Sequence, residues 1–278
     1  FLSHIRTTDA IVQVIRCFDD DNVVHVDGSV DPIRDIETIM IELIFADMEV
    51  IEKRLPKIRK RAELKLDNEA VEEYQLLERI LTDLKNELPI RAMDLTDDEL
   101  KHIKNFSFLT AKPILYVCNI SENEINDYSN NDYVKLVREQ AIKDNAQVVA
   151  ISAKIEQELQ ELDKEERQMF MEELGIKRSG LDELVSISYE VLGLKTFFTA
   201  GEKEVRAWTF KNGMKAPECA GIIHSDFEKG FIRAETISYE DLVMAGSESK
   251  AKELGKFRLE GKEYKAKDGD VFHFRFNN

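Results

Sequence analysis

Two short polar segments of the sequence each stand at the end of an apolar run. Residues 113–119 end in Asn119, which opens a segment Asn-Ile-Ser-Glu, and residues 146–152 end in Ser152, which opens a segment Ser-Ala-Lys. Apolar runs of this length, bounded by polar residues, predict strands that are buried on both faces of a parallel sheet. Because open α/β sheets bind ligands beyond the carboxyl ends of their strands, we predict a ligand site here.

The same residue types also have a purely structural explanation. Asn and Ser are favoured just before a helix, where their side chains accept a main-chain N–H group. Asn119 or Ser121 would then begin a helix, and Ser152 with Ala153 would only end a strand. From these residues alone, both explanations stay open.

No second motif supports a self-contained catalytic site. The sequence contains no G-x-G-x-x-G, G-x-S-x-G or H-E-x-x-H segment. Gly175 and Gly180 have the spacing of a Walker A loop, but Leu181 and Asp182 stand where that loop requires Lys and Ser or Thr. The three cysteines are far apart and lack C-x-x-C spacing, which argues against a zinc cluster or a disulfide framework and favours a reducing cytoplasm.

The composition is that of a globular chain with two or three domains. Its 278 residues are 43% hydrophobic and 34% charged, and no apolar run approaches the ~20 residues of a membrane span. The formal charge of −16 argues against nucleic-acid binding by the whole surface. Residues 196–278 contain 14 basic and 14 acidic residues, so residues 1–195 carry the entire acidic excess. The last third of the chain can therefore still present a basic face.

The apolar runs predict a partial, doubly wound α/β domain. A third run occupies residues 10–18, after a short helix predicted over residues 1–10. A helix predicted over residues 132–144 gives the strand, helix, strand order of a right-handed crossover unit. A further helix over residues 180–192 closes this domain.

Residues 35–106 have a helical pattern instead. Apolar residues recur there at alternating spacings of three and four: Ile51, Leu55, Ile58, Ala62, then Ala70, Tyr74, Leu77, Leu81, Leu84 and Leu88. Such heptads predict two long paired helices, arranged as an antiparallel coiled-coil hairpin that Pro56 kinks. A packed four-helix subdomain without a protruding hairpin is the alternative.

The sequence changes character again over residues 196–278. Glycines separate short segments, and residues 204–210 and 271–276 alternate between apolar and polar positions, as strands do. Asp268 and Gly269 predict a hairpin-type turn before the last strand. We therefore predict a small α+β domain here, after a domain formed by residues 1–34 with 107–195 and an inserted domain at 35–106.

Several stretches match one known family. They include residues 1–6, 16–18, 22–26, 106–113 and 119–122, and two highly specific ones, Phe-Thr-Ala-Gly followed by Glu-Val-Arg-Ala-Trp-Thr within 198–209, and His-Ser-Asp-Phe-Glu-Lys-Gly-Phe-Ile at 224–232. Across essentially its whole length the chain resembles the YchF or Obg-like ATPases, which are translation-factor-class P-loop proteins. The resemblance implies a Ras-like nucleotide-binding domain with a helical insertion, followed by a TGS domain of β-grasp type.

The resemblance also implies ATP with Mg²⁺ as ligands. Ras-like GTPases carry Asn-Lys-x-Asp and Ser-Ala-Lys at the two segments, and here Ile120 and Glu122 replace the Lys and the guanine-reading Asp. The resemblance assigns contact with adenine to Asn119, the Ile120 main chain and Glu122, and to the backbone of Ser152 and Ala153.

By the same resemblance, His25 orients the water that attacks ATP, which an imidazole can do near neutral pH. A loop histidine that only caps a strand end is the alternative.

Family members begin with a P-loop, switch loops and an Asp-x-x-Gly segment, and the sequence contains none of these. We therefore expect the C-terminal portion of a ribosome-associated cytoplasmic ATPase, inactive by itself, with its phosphate and magnesium ligands outside these 278 residues. A non-enzymatic RNA- or protein-binding module is the alternative. Ribosomal RNA is expected to meet basic patches on residues 196–278 and 57–65, although 57–65 also fits a merely exposed helix end.

Overall fold

The structure is a computed structural model that describes residues 2–24, 28–64, 68–201 and 204–277. It divides into two compact units, Phe1–Ser188 and Tyr189–Asn278, which are described separately. Its strands are β1 Ile11–Arg16, β2 Ile114–Asn119, β3 Gln147–Ile151, β4 Leu194–Ala200, β5 Val205–Lys211, β6 Phe231–Ser238, β7 Arg258–Glu260 and β8 Asp270–Phe276.

The first unit contains eight of the described α-helices, and its boundary with the second unit falls near the end of the last of them, α8. They are α1 Leu2–Arg6, α2 Pro32–Glu63, α3 Asn68–Lys85, α4 Asp97–Ile103, α5 Asp132–Asp144, α6 Ala153–Glu161, α7 Lys164–Glu173 and α8 Gly180–Val191. Those of the second unit are α9 Ala216–Ile223, α10 Ser225–Lys229, α11 Tyr239–Ala245 and α12 Glu248–Glu253. The predicted helices over 132–144 and 180–192 are confirmed as α5 and α8. Within the described ranges, no helix has the length and apolarity to cross a bilayer.

The first unit contains a parallel sheet with strand order β1-β2-β3. β2 is buried on both faces, as predicted, with Ile114–Cys118 each at most 2% exposed. β1 departs from that prediction, because Val12 and Val14 are exposed while their neighbours Ile11 and Ile15 are buried.

The position of β1 explains its exposed face. β1 is an edge strand of the described sheet. On the face opposite to α2 and α5, Leu184 and Ile187 of α8 pack against Val117, Val149 and Ile151, which belong to β2 and β3. No described helix covers Val12 and Val14 on this face in the same way.

Helix α2 connects the sheet to the helical part of this unit. It begins at Pro32, where the Asp31 side chain accepts the N–H of Arg34 at 3.1 Å and caps the helix. Ile36 packs in the core of the sheet, whereas Ile44 packs in the helical cluster further along α2. The predicted boundary between residues 34 and 35 therefore falls inside the first turn of α2, because one continuous helix serves both cores.

Helices α2 and α3 pack along each other as the heptad pattern predicts. Ile51, Ile58, Leu77 and Leu84 are each at most 2% exposed. Arg54 on α2 donates to both carboxylate oxygens of Glu73 on α3, at 2.6 and 2.9 Å. The connection at residues 65–67 lies outside the described residues, so the hairpin itself stays a prediction.

The second unit is α+β, as predicted, and is built on a mixed five-stranded sheet with order β5-β4-β8-β6-β7. β4 and β8 run parallel, and the other neighbours are antiparallel. Phe272 and Phe274 lie in its core, and Gly269 has φ +77° in a turn before β8. The predicted hairpin is wrong, because β7 pairs with β6 and β8 pairs with β4 and β6. The predicted boundary at residue 196 falls inside β4. The TGS assignment stays a prediction.

Candidate functional site

The carboxyl ends of β2 and β3 bring the two polar segments together. Asn119 is the last residue of β2 and lies in register with Ile151, the last residue of β3. Its Oδ1 accepts the N–H of Ala153 at 3.0 Å. The two segments therefore form one surface at the edge of the sheet where α/β proteins bind ligands.

Ser152 takes the structural role that the sequence left open. Its Oγ accepts the N–H of Ile155 at 3.5 Å and caps α6, and its side chain is buried. The whole residue is 1% exposed and its carbonyl accepts the N–H of Glu156 at 3.0 Å, so Ala153, which is exposed, is the residue of this segment that a ligand can reach. Ser121 precedes a single 3₁₀ turn, Glu122–Glu124, without making a side-chain cap bond.

Ile120 can contribute to ligand binding only through its carbonyl group. The whole residue, carbonyl included, is only 2% exposed; its side chain packs in the core of the sheet, and its N–H donates to the carbonyl of Ile151 at 2.9 Å. Within the described part of the chain, no hydrogen-bond donor reaches the Ile120 carbonyl oxygen. The predicted contact of the Ile120 main chain thus narrows to one acceptor atom.

Glu122 does not present a lone carboxylate at this surface. Its Oε2 lies 2.6 Å from Nζ of Lys154, which is the third residue of the Ser-Ala-Lys segment. The hydrogen bond and charge of Glu122 raise the pKa of Lys154. The sequence prediction assigned no role to Lys154, although the opposite charges of the two segments are the signal that would have indicated this pair.

His25 lies outside the described residues, so its proposed role stays a prediction. The loop that leads to it is held by Arg16 at the end of β1. The Arg16 guanidinium donates to the carbonyls of Phe18, Asp20 and Val23 at 3.0, 3.2 and 2.7 Å. This loop leaves the same edge of the sheet from which the segments at β2 and β3 emerge.

Gly180, which has Walker-like spacing from Gly175, serves packing instead of phosphate binding. An added Cβ at Gly180 would lie 2.5 Å from Cγ2 of Ile151, so only glycine allows α8 to begin this close to β3. The N–H of Gly180 donates to the carboxylate of Glu156 at 2.6 Å. The Gly180 N–H is therefore engaged by Glu156 and is not available to bind a phosphate.

Cysteine and metal chemistry have no support at this edge. Cys17 and Cys118 are buried free thiols, and their mutual hydrogen bond together with burial raises the pKa of Cys17. In the ranges that the structure describes, no three His, Cys, Asp or Glu side chains form a group that could hold a metal ion.

The parallel sheet with polar loops at its carboxyl edge defines an α/β protein, and the solved structures that match it are GTPase-like. A solved structure, "GTP binding protein from Pyrococcus horikoshii OT3", matches 99% of this chain and 81% of its own with a TM-score of 0.63 and 19% identity, which shows the fold. The structure of the Schizosaccharomyces pombe YchF GTPase matches 99% of this chain and 74% of its own, with a TM-score of 0.87 and 36% identity.

Sequence comparison is more specific. Residues 194–277 match the family model YchF-GTPase_C, described as a protein of unknown function (DUF933). Proteins named ribosome-binding ATPase YchF from Bacillus subtilis and Haemophilus influenzae are 59% and 50% identical over the whole chain, which covers 75% of each relative. The chain belongs to the YchF family, and the resemblance inferred from sequence is confirmed.

Proposed function

We propose that this chain binds the adenine base of ATP at the carboxyl ends of β2 and β3 and belongs to a ribosome-associated ATPase. The observation that carries the proposal is the arrangement of Asn119, Ala153 and Ile120 at this edge. Relatives named ribosome-binding ATPase support the wider function.

Hydrogen-bond chemistry at this edge favours adenine. The Ile120 carbonyl is an acceptor, and Asn119 Oδ1 keeps a second lone pair after it accepts the N–H of Ala153. Both can accept from the 6-amino group of adenine. Guanine has a carbonyl oxygen at position 6, which would leave the Ile120 carbonyl unpaired and find the Ala153 N–H already engaged, so that the amino group of Asn119 is the donor left for it. An unpaired polar group of this kind costs ~1–3 kcal/mol when buried.

Hydrolysis and phosphate binding need groups beyond this edge. The 278 residues contain no Walker A sequence, so we propose that they supply the base-binding part of the site and bind ATP only weakly alone. His25, which follows the loop held by Arg16, is proposed to orient the attacking water. The alternative function, a non-enzymatic binding module, is favoured by the same missing motif.

Ribosome association is proposed to use locally basic surface, because the chain as a whole is acidic. One such surface is the last turns of α2, where Lys57 and Lys60 are exposed. Arg59 is paired there with Glu63 at 2.7 Å, which reduces its availability. The near-neutral second unit is the other candidate surface. We propose a cytoplasmic location, because the proposed function is carried out on ribosomes.

Nucleotide titration of the chain, followed by NMR, tests the base site. We expect ATP at millimolar concentration to shift the amide signals of Ala153 and its neighbours, and GTP to bind about tenfold more weakly. Asn119→Ala should weaken ATP binding, whereas Asn130→Ala, on an exposed turn, should not. If neither nucleotide perturbs these amides, the base site is elsewhere and the binding-module alternative gains support.

A further inference from the structure

Lys154 and Glu122 join the two loops that form the proposed base site. Their Nζ and Oε2 atoms are 2.6 Å apart, although the two residues are 32 positions apart in the sequence. The side chains are 65% and 39% exposed, so a ligand at this edge of the sheet can reach both. The pair therefore presents the Lys154 ammonium group as a donor and engages the Glu122 carboxylate that would otherwise accept from a base.

The surroundings keep Lys154 protonated. Glu122 has the largest effect on it, and Glu158 and Asp20 add negative charge nearby, so the pKa of Lys154 is raised. An ammonium group has three N–H donors and no acceptor. One of these donors binds Glu122, and the others remain available at neutral pH.

Adenine and guanine differ at ring position 1, so a donor such as Lys154 and a carboxylate prefer different bases there. Adenine N1 is a hydrogen-bond acceptor, whereas guanine carries N1–H and an adjacent amino group, which are both donors. A lone carboxylate satisfies the two donors of guanine. An ammonium group satisfies adenine N1 and opposes guanine, because donor then faces donor.

We propose that Lys154, held by Glu122, selects adenine over guanine by donating a hydrogen bond to N1 of the base. The inference rests on the proposed base site, in which position 6 faces Ile120 and Asn119. Glu122 stands where Ras-like GTPases carry the Asp that reads guanine, and on that resemblance position 1 of the base is placed against the Lys154–Glu122 pair. In this arrangement Glu122 holds the Lys154 ammonium group and does not itself contact the base. The pair therefore stands where Ras-like GTPases have a free carboxylate that binds guanine.

The test is the ratio of the dissociation constants for GTP and ATP, measured by saturation-transfer NMR on the 278-residue chain. Both nucleotides carry the same triphosphate and ribose, so the ratio isolates the base. We expect Lys154→Met to lower the preference for ATP about tenfold, the value of one charge-assisted hydrogen bond. Lys154→Arg should retain most of the preference, because guanidinium also donates.

Two further variants separate reading of the base from a general loss of charge. Lys135→Met removes another exposed lysine with a carboxylate partner, Asp132 at 2.9 Å, and should leave the ratio unchanged. Lys154→Met frees the Glu122 carboxylate, which should raise the affinity for GTP. Combining Lys154→Met with Glu122→Gln removes that carboxylate and should abolish the gain. A gain that persists in the double variant would overturn the inference.

The outcomes for this inference and for the base site differ. If the wild-type chain binds neither nucleotide at millimolar concentration, the proposed function fails. If the wild type prefers ATP but Lys154→Met has the same ratio, the base site stands and the role of Lys154 is refuted.

Discussion

Replacing Asp47 with alanine should destabilise the first unit strongly, although Asp47 lies outside the candidate site. The Asp47 side chain is fully buried on α2. Its carboxylate accepts the N–H groups of Leu109 and Thr110 at 2.8 and 2.7 Å, and the Thr110 hydroxyl at 2.8 Å. It thereby fixes the chain just before β2 to the middle of α2, with Arg6 of α1 alongside at 3.4 Å.

The size of the effect follows from these contacts. Asp47→Ala leaves two buried N–H groups without an acceptor, at ~1–3 kcal/mol each, while it relieves the cost of burying a carboxylate. We therefore expect the free energy of unfolding to fall by about 3 kcal/mol, which lowers the melting temperature by roughly 6–12 °C for a unit of this size. Thr110→Val removes the hydroxyl's bond to Asp47 and also its bond from the N–H of Ile90 at 3.3 Å, and should cost about 1–2 kcal/mol.

Denaturant unfolding, combined with hydrogen exchange at the amides of Leu109 and Thr110, measures this effect in the first unit. Asp98→Ala is the matched control, because the Asp98 side chain is 85% exposed and forms a surface ion pair with Lys101 at 2.8 Å. A loss below about 0.5 kcal/mol for Asp47→Ala, equal to that of the control, would refute the reasoning.

The same carboxylate also predicts a pH dependence. Burial raises the pKa of Asp47, and the hydrogen bonds from Thr110 and Leu109 do not fully offset it. The folded state then binds a proton more readily than the unfolded state, so this group contributes most stability below the ordinary Asp pKa of ~3.9 and loses it as pH rises through the raised value. The difference in unfolding free energy between wild type and Asp47→Ala should therefore be larger at pH 4 than at pH 7, and an equal difference would contradict it.

Three further predictions concern the proposed function. Glu122→Asp shortens the side chain, weakens its bond to Lys154 and should shift the preference toward GTP severalfold in competition binding. Ile120→Lys is not added to this variant, because Ile120 is buried and a lysine there would disrupt the core. Where the protein hydrolyses ATP, His25→Ala should leave ATP affinity unchanged and slow turnover by ~10²–10⁴-fold, and unchanged turnover would leave this residue structural. Neutralising the basic end of α2 should weaken cosedimentation with ribosomes and flatten its salt dependence, whereas equal slopes would exclude this surface; the residues to change are Lys57, Arg59, Lys60 and Arg61.

Elements with a repeating local pattern could be predicted from the sequence. Apolar continuity predicted β2 and β3, and the heptads predicted most of the buried positions of α2 and α3; Leu88, the last heptad position, instead lies beyond α3 and is exposed. The exposed face of β1 was not predictable from its own residues, because Val12 and Val14 have the same character as buried valines. Exposure there depends on which helix covers the strand, and that is a property of the tertiary structure.

The candidate site was predictable in position but not in detail. The strand ends correctly placed Asn119 near Ala153, since parallel strands end at the same edge. The N–H of Ile120 was assigned no structural role from sequence, yet it continues the pairing to Ile151 and is unavailable. The Lys154–Glu122 pair and the Asp47 contacts join residues far apart in the chain, and such pairs leave no local periodicity to detect.

The parallel pairing of β1 with β2 has a consequence for how the chain folds. Ile11 pairs with Ile114, so about 100 residues must be synthesised between two strands that lie side by side. At a synthesis rate of ~5–20 residues per second, β2 is completed roughly 5–20 seconds after β1 on a translating ribosome. The α2–α3 contacts are local and form much faster than this long-range closure. Helices α2 and α3 can therefore assemble first and shorten the loop that β1 and β2 must close. A shorter loop lowers the entropic cost of pairing these two strands.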